Sequence, residues 1–567
     1  MNRHATIYIL LGILALGLGL RLWNLSLPDI ASDDALYSLR SVDYVDYVAS
    51  TNKQSTPVSW FPTSQWWQSL SFHDAPPLVF ITQWISFQLF GDNAVAARLP
   101  FVAAGVLAIY GAYLLGTLTA GTTAGLVAAA TLAVSNYAIW ISRIGYLEGF
   151  LVPEILFALY FFIKAKNAPK NYLWWGTCVG AGLLTKYTFL FMGPVFLVAL
   201  LAWQRRAWKE KWFYAGCATI LILISPIIIY NMMMFRTRGH VDAALSTLTG
   251  QHPEDFKVLT RVATKNFNIA AVAASLGIRN ASAGFIALLL AALAAAAMRA
   301  WQRPETRATY ALFGLGGLWA LVMLGITSGD DHFGTVLLPF VTLVVGIGTT
   351  RLWQSAAANN KTRVLFITVV TLAGLWEIIF AAQSQLLPTP LIANPLLLAK
   401  NRPAFTGFAA LESYVKNFYA EHPELSTIVI FSEEPQLAAY QESRIRAALA
   451  KNPTQPIQTH LLIFDDRMQW FPWVWIFERR RLYNFAPIHS LTQFSEKMRG
   501  QGAGFYRTLG FTDVTIITAA NESVMTAIPA SDARTRAAEE IARVAAPVDE
   551  IKNAEGVTVF NVFRLNI

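Results

Sequence analysis

The apolar residues of this chain come in long unbroken runs, not in the one-face spacing of a surface helix. Runs near the roughly 20 residues needed to cross a hydrocarbon core about 30 Å thick cover 7–20, 99–117, 123–140, 150–163, 213–232, 281–297, 308–327, 333–347 and 364–382. Two further stretches decide the path. Segment 77–90 is short for a crossing and suits an interfacial or re-entrant helix. Segment 172–203 would span roughly 45 Å as one straight helix, and it is interrupted at Thr185-Lys186-Tyr187, which predicts a hairpin of two legs with Lys186 near the turn. Past 382 the pattern changes. Helical periodicity over 408–419, 436–450 and 533–544 alternates with strand-like runs at 427–431, 461–464, 514–518 and 557–563.

Charge orients these elements. Basic residues gather at Lys164, Lys166 and Lys170, at Arg205, Arg206, Lys209 and Lys211, and over 299–307 and 351–363. All of them fall on one side of the membrane, as the positive-inside rule requires, only if 77–90 does not cross and 172–203 crosses twice. The expected fold is a polytopic α-helical membrane protein of about 11 spans, N-terminus cytoplasmic, with an extracytoplasmic C-terminal α/β domain. The expected division is a membrane domain at 1–400, with a large first outer loop at 23–98, and a soluble domain at 401–567. The N-terminal run lacks a small-x-small cleavage site and is taken as a retained first span of an inner-membrane protein.

Composition agrees, with 55% hydrophobic and 14% charged residues over 567 positions. The formal charge of +9 resides in the short loops, which argues against a nucleic-acid partner. Cys178 and Cys217 both lie in or beside apolar runs, so neither a disulfide framework nor a cysteine metal site is expected.

Few polar residues stand out against this background. Asp33 and Asp34 follow the first span and precede Tyr37, on an outer loop containing Trp60, Trp66 and Trp67. Taken alone, such a pair reads more readily as solvated flanking residues. The loop from Ser142 to Glu148 adds Arg143 and a second acid on the same side, readable as a surface ion pair worth less than about 1 kcal/mol or as part of an acidic pocket. Lys186 is the least ordinary residue. A lysine centred in an apolar hairpin costs roughly 2.5–3.5 kcal/mol on insertion scales and points to a cavity or an anionic ligand, with snorkelling to the interface as the alternative. His73, His332, Asp330 and Asp331 are weaker signals that share the outer side.

Together these motifs resemble the C-type membrane glycosyltransferases. The acidic pair with its tyrosine, His73 ahead of Pro76-Pro77-Leu78, Phe90-Gly91-Asp92 leading to Arg98-Leu99-Pro100, the Arg143-to-Glu148 loop and Leu183-Leu184-Thr185-Lys186-Tyr187 occur in the order found in the dolichyl-phosphate-mannose protein mannosyltransferase and aminoarabinose lipid A transferase group. The resemblance runs over 21–230. It implies inverting transfer of a sugar from a polyprenyl-phosphate donor to a lipid, protein or polysaccharide acceptor on the outer face. Asp33 or Asp34 would be the general base and Glu148 a second catalytic acid. Tyr37, His73, Arg143, Lys186 and His332 would bind substrate. No cofactor is fixed by the resemblance, and a divalent metal at the acids stays open. This chain departs from the group in carrying Asp33-Asp34 where Asp-Glu is common, Ala35-Leu36 where one branch has a donor-binding arginine, and His332-Phe333 where an Arg-Tyr pair is frequent. The rival class is a transporter or flippase for a lipid-linked or anionic substrate, which would show broken helices in paired positions; the sequence shows one broken helix.

The topology predicts that a reporter fused after Ala382 is active only on the outer side. Cytoplasmic activity of that fusion overturns the whole placement.

Overall fold

In the computed structural model of the protein, the described residues are 2–43, 74–251, 280–302, 306–326, 331–392, 397–421, 460–483, 486–529 and 532–567, with positions 253, 272 and 394. The chain divides into two compact units, one of Met1–Leu25 with Ser55–Pro403 and one of Ser26–Gln54 with Ala404–Ile567.

The first unit is helical. Among the described residues, seven helices are long and apolar enough to cross a membrane: Arg3–Leu22, Ala94–Ala120, Lys211–Arg238, Ala283–Gln302, Arg307–Gly325, His332–Ala356 and Asn360–Leu386. Leu78–Phe90 is a 13-residue helix of about 20 Å, short of the apolar thickness as expected. Segment 172–203 is divided as its interruption predicts, into Asn171–Thr185, a 3-10 turn at Tyr187–Phe191 and Met192–Ala202. Helices pack closely where small residues face each other: a Cβ placed on Gly116 would lie 2.8 Å from the Cα of Gly125 on the neighbouring helix.

One expected element is different. The run 123–140 is not one helix but two, Thr122–Val134 and Asn136–Ile141, broken at Ser135. In an apolar setting the backbone groups freed by such a break need protein partners. The guanidinium of Arg21 supplies donors, from Nη2 to Leu132 O at 3.0 Å and from Nη1 to Ala133 O at 3.1 Å. The buried carboxylate of Glu377 supplies an acceptor for Asn136 N at 2.8 Å, and its other oxygen accepts from Ser282 N, ahead of helix Ala283–Gln302, at 3.0 Å. The sequence pattern shows an apolar run and cannot show that distant side chains make a break within it tolerable.

The second unit holds a five-stranded sheet of β1 (His460–Phe464), β2 (Ile488–Ser490), β3 (Asp513–Ala519), β4 (Asp549–Lys552) and β5 (Thr558–Asn566) in the order β2-β1-β3-β5-β4. Strands β2, β1 and β3 are parallel, and β5 is antiparallel to β3 and β4. Leu461, Ile463, Val514, Ile516 and Phe563 form a core with helices Leu491–Gln501 and Ala533–Val544. Strands expected at 461–464, 514–518 and 557–563 and helices expected at 408–419 and 533–544 are present, whereas the elements expected at 427–431 and 436–450 lie outside the described residues. Two strands gave little sequence signal: β2 has three residues, and β4 reads Asp-Glu-Ile-Lys with only Ile551 buried, the charged pattern of a protected sheet edge.

Glu377→Ala should lower the thermal stability of the detergent-solubilised protein markedly, because two buried amides lose their acceptor at about 1–3 kcal/mol each. Glu377→Gln, which keeps one carbonyl acceptor, should fall between. Unchanged melting of the alanine variant would remove the capping role.

Candidate active site

Glu148 begins helix Glu148–Ala165 at the end of the Ser142–Leu147 loop, with its side chain 2% exposed. Lys186 reaches it from the break between helix Asn171–Thr185 and the turn at Tyr187–Phe191. Helix Asn171–Thr185 stops there because the backbone of Lys186 is extended, at φ −159° and ψ 139°, after donating to Gly182 O at 3.0 Å. That single extended residue turns the ammonium out of the helical row and onto Oε1 of Glu148, where it forms a charged hydrogen bond. The Lys186 side chain is 18% exposed, so the ion pair is largely withdrawn from solvent.

His332 approaches the same carboxylate oxygen, with Nε2 at 3.6 Å. Its ring is held by stacking on Tyr146 at 5.0 Å between centroids and 20° between planes, while Thr335 Oγ1 donates to its carbonyl at 2.5 Å. Phe333, next in sequence, lies under the Lys186 ammonium at 5.0 Å. One carboxylate thus meets two cationic or potentially cationic groups, each backed by an aromatic ring. Such a cluster can hold an anion with little reorganisation.

The residue after Lys186 is anchored independently. Tyr187 donates through its hydroxyl to Asp242 Oδ2 at 2.7 Å, and Asn231 Nδ2 donates to the same oxygen at 2.7 Å. Oδ1 of Asp242 accepts from Leu245 N at 2.9 Å and caps the short helix Ala243–Leu248. Burial pushes the Asp242 carboxyl above its ordinary range, against the downward pull of those hydrogen bonds. Below the pair, Thr185 Oγ1 donates to Glu154 Oε1 at 2.6 Å.

Of the expected site residues in this unit, Glu148, Lys186 and His332 come together, but Arg143 is used differently. Its Nη1 donates to the carbonyls of Leu20 at 3.2 Å, Arg21 at 2.9 Å and Trp23 at 2.6 Å, where helix Arg3–Leu22 ends. The expected Arg143–Glu148 pair is replaced by Lys186–Glu148, because the arginine is spent on the backbone carbonyls at the end of helix Arg3–Leu22. Asp33, Asp34 and Tyr37 lie in the second unit, on helix Asp33–Asp43. Asp34 is buried, Asp33 half-buried, and Tyr37 donates to Asp33 Oδ2 at 3.4 Å. Two acids in the first turn of a helix are favoured by its dipole. His73 and Asp330 lie outside the described residues. Among the described residues, no group of three His, Cys, Asp or Glu side chains is arranged to hold a metal ion. Tyr146 and the Tyr187–Asn231–Asp242 cluster escaped sequence reasoning; the position of Tyr146 two residues before Glu148 was the available hint.

The chain, a multi-helix membrane unit and a mixed α/β unit, shares its fold with solved membrane enzymes. It is similar to ArnT from Cupriavidus metallidurans in the apo state, with a TM-score of 0.50 at 12% identity over 98% of this chain and 97% of that one. It is also similar to the oligosaccharyltransferase of Archaeoglobus fulgidus in the apo form, with a TM-score of 0.51 at 12% identity over 91% of this chain and 70% of that one. The oligosaccharyltransferase AglB from Archaeoglobus fulgidus in complex with an inhibitory peptide and a dolichol-phosphate gives a TM-score of 0.50 at 12% identity over 91% of this chain and 69% of that one. Residues 74–230, which contain Glu148 and Lys186, match the family described as dolichyl-phosphate-mannose-protein mannosyltransferase. The likeness anticipated from the order of motifs is thereby found in two ways: residues 74–230 match that family, and the fold is that of the two solved enzymes. No curated protein sequence matches the chain.

Removing one member of a withdrawn ion pair strands the other, at a cost of about 3–5 kcal/mol. Glu148→Gln and Lys186→Met should therefore each lower the melting temperature more than the Glu148→Gln/Lys186→Met double variant does. Additive losses in the double variant would show that the two charges are not coupled.

Proposed function

We propose that the protein transfers a sugar from a polyprenyl-phosphate donor to an acceptor hydroxyl on the outer face of the membrane, with inversion at the anomeric carbon. The observation that carries this reading is the Glu148–Lys186–His332 cluster, within or facing the segment that matches the mannosyltransferase family. The dolichol-phosphate held by the similar archaeal enzyme fits the same donor chemistry. The acceptor oxygen attacks the anomeric carbon as the bond from that carbon to the phosphate oxygen breaks. The polyprenyl phosphate leaves with the bonding electrons, and the hydroxyl proton passes to a carboxylate of Asp33 or Asp34.

Each group answers a physical demand of that step. A positioned base accounts for roughly 10²–10⁴ in rate. Charge gathering on the departing phosphate needs cations in a site with little water. Lys186 supplies one, shared between Glu148 and the phosphate. His332, facing the same carboxylate oxygen, supplies a second when it takes a proton. Tyr37 orients Asp33, and His73 is assigned to the donor side on the strength of the motif order alone. The topology that serves this chemistry has about 11 spans, with the N-terminus cytoplasmic and the acids and the C-terminal domain outside.

Asp33→Asn and Asp34→Asn, made separately, should include at least one protein that folds and inserts yet transfers no sugar. The assay presents the reconstituted protein with radiolabelled polyprenyl-phosphate sugars and candidate acceptors. Full transfer by both variants would refute the base assignment.

A further inference from the structure

The stretch that carries the proposed bases is built into the C-terminal unit through one carboxylate four residues upstream of Asp33. Asp29 is 5% exposed and saturated by four donors at the start of helix Phe408–Glu421. Oδ2 accepts from Thr406 N at 2.6 Å, Thr406 Oγ1 at 2.8 Å and Gly407 N at 3.3 Å, and Oδ1 accepts from Ala409 N at 2.7 Å. The amide of Asp29 donates to Ala404 O at 2.8 Å, so backbone and side chain hold the same turn. An N-cap is ordinarily supplied by a residue adjacent to its helix; this one comes from more than 370 positions away in sequence. Further along, Leu39 packs with Val474, Leu482 and Tyr483, and the Tyr483 hydroxyl donates to Leu39 O at 2.9 Å. Helix Asp33–Asp43 is therefore fixed at both ends of its described contacts to residues 404–483.

We infer that Asp29 and Tyr483 are positioning residues for the transfer reaction, and that the C-terminal unit is the scaffold that sets the orientation of Asp33 and Asp34. This rests on the reading that one of those two acids is the base. Asp29 makes no contact with a reacting atom on this account. It caps a helix, and the helix it caps returns the constraint by holding Asp29 in place. A base held within a hydrogen-bond length of its target loses rate steeply when displaced by about 1 Å. The consequence is a fall in turnover without a matching loss of donor binding, because Lys186 belongs to the other unit.

The test uses the full-length protein in lipid nanodiscs, with a radiolabelled polyprenyl-phosphate mannose series or whichever polyprenyl-phosphate sugar supports transfer. Asp29→Ala is expected to reduce kcat at least tenfold with KM for the donor changed less than about twofold, since a 1 Å misplacement can cost about 10²-fold. Asp29→Asn, itself a good helix cap, should recover much of the rate. Hydrogen–deuterium exchange should quicken over 33–43 in Asp29→Ala and stay unchanged in the membrane helices. Tyr483→Phe, which removes one hydroxyl, should lower kcat in the same sense and keeps the inference testable if Asp29→Ala does not fold. Wild-type kcat in Asp29→Ala or Tyr483→Phe, or a kcat loss matched by an equal rise in donor KM, overturns the inference. If Asp33→Asn and Asp34→Asn both keep full activity, the base assignment falls instead, and the two failures are told apart by which variants retain transfer.

Discussion

A helix that stops inside an apolar slab releases amides and carbonyls that have no water to turn to, and the membrane unit is arranged around that constraint. Ser135 is where it shows most plainly. The carbonyls before the break are met by Arg21, and the amide after it is met by Glu377, so one kink consumes two charged side chains from two other helices. The carbonyls at the end of the helix that contains Arg21 are met in turn by Arg143. Each of these charges would be prohibitive in hydrocarbon on its own. Each is tolerated because it answers a backbone group that would be equally costly if left unanswered.

That accounting separates structural charge from chemical charge. Arg21, Arg143 and Glu377 are committed to peptide groups of the chain. Lys186 and Glu148 are committed to one another, across a break whose backbone needs are already met by local hydrogen bonds from Lys186 N and to Lys186 O. An ion pair of this kind adds little to stability over an apolar pair of the same volume. Its presence in the unit is therefore not accounted for by stability alone.

The membrane character, the interruption at Lys186 and the short helix at Leu78–Phe90 were legible because they depend on local composition and length, which a single sequence displays. The Lys186 signal was legible for the same reason, since a lysine in an apolar run is costly wherever its partner is. The partner was not legible. Arg143 stands five positions from Glu148 and is the natural guess, whereas Lys186 lies 38 positions away and is brought in by packing of helix Asn171–Thr185 against helix Glu148–Ala165. The break at Ser135 was hidden likewise, because its cause resides at positions 21 and 377. Sequence periodicity reports what a residue costs where it sits, and long-range polar pairing decides how that cost is met.

The same limit governs how the chain is divided. A change of composition near 401 is visible along the sequence, but nothing local announces that 26–54 joins the residues beyond it. Asp29 reads as a polar residue after a proline, and Thr406-Gly407 reads as an ordinary loop. Their connection is a helix cap whose two halves are separated by nearly the whole membrane unit in chain order. Here an early segment caps a late helix inside one unit, so 26–54 is part of that unit's own fold. The acids at 33 and 34 are thus presented by a folded unit with its own sheet and core, not by a loop free to wander.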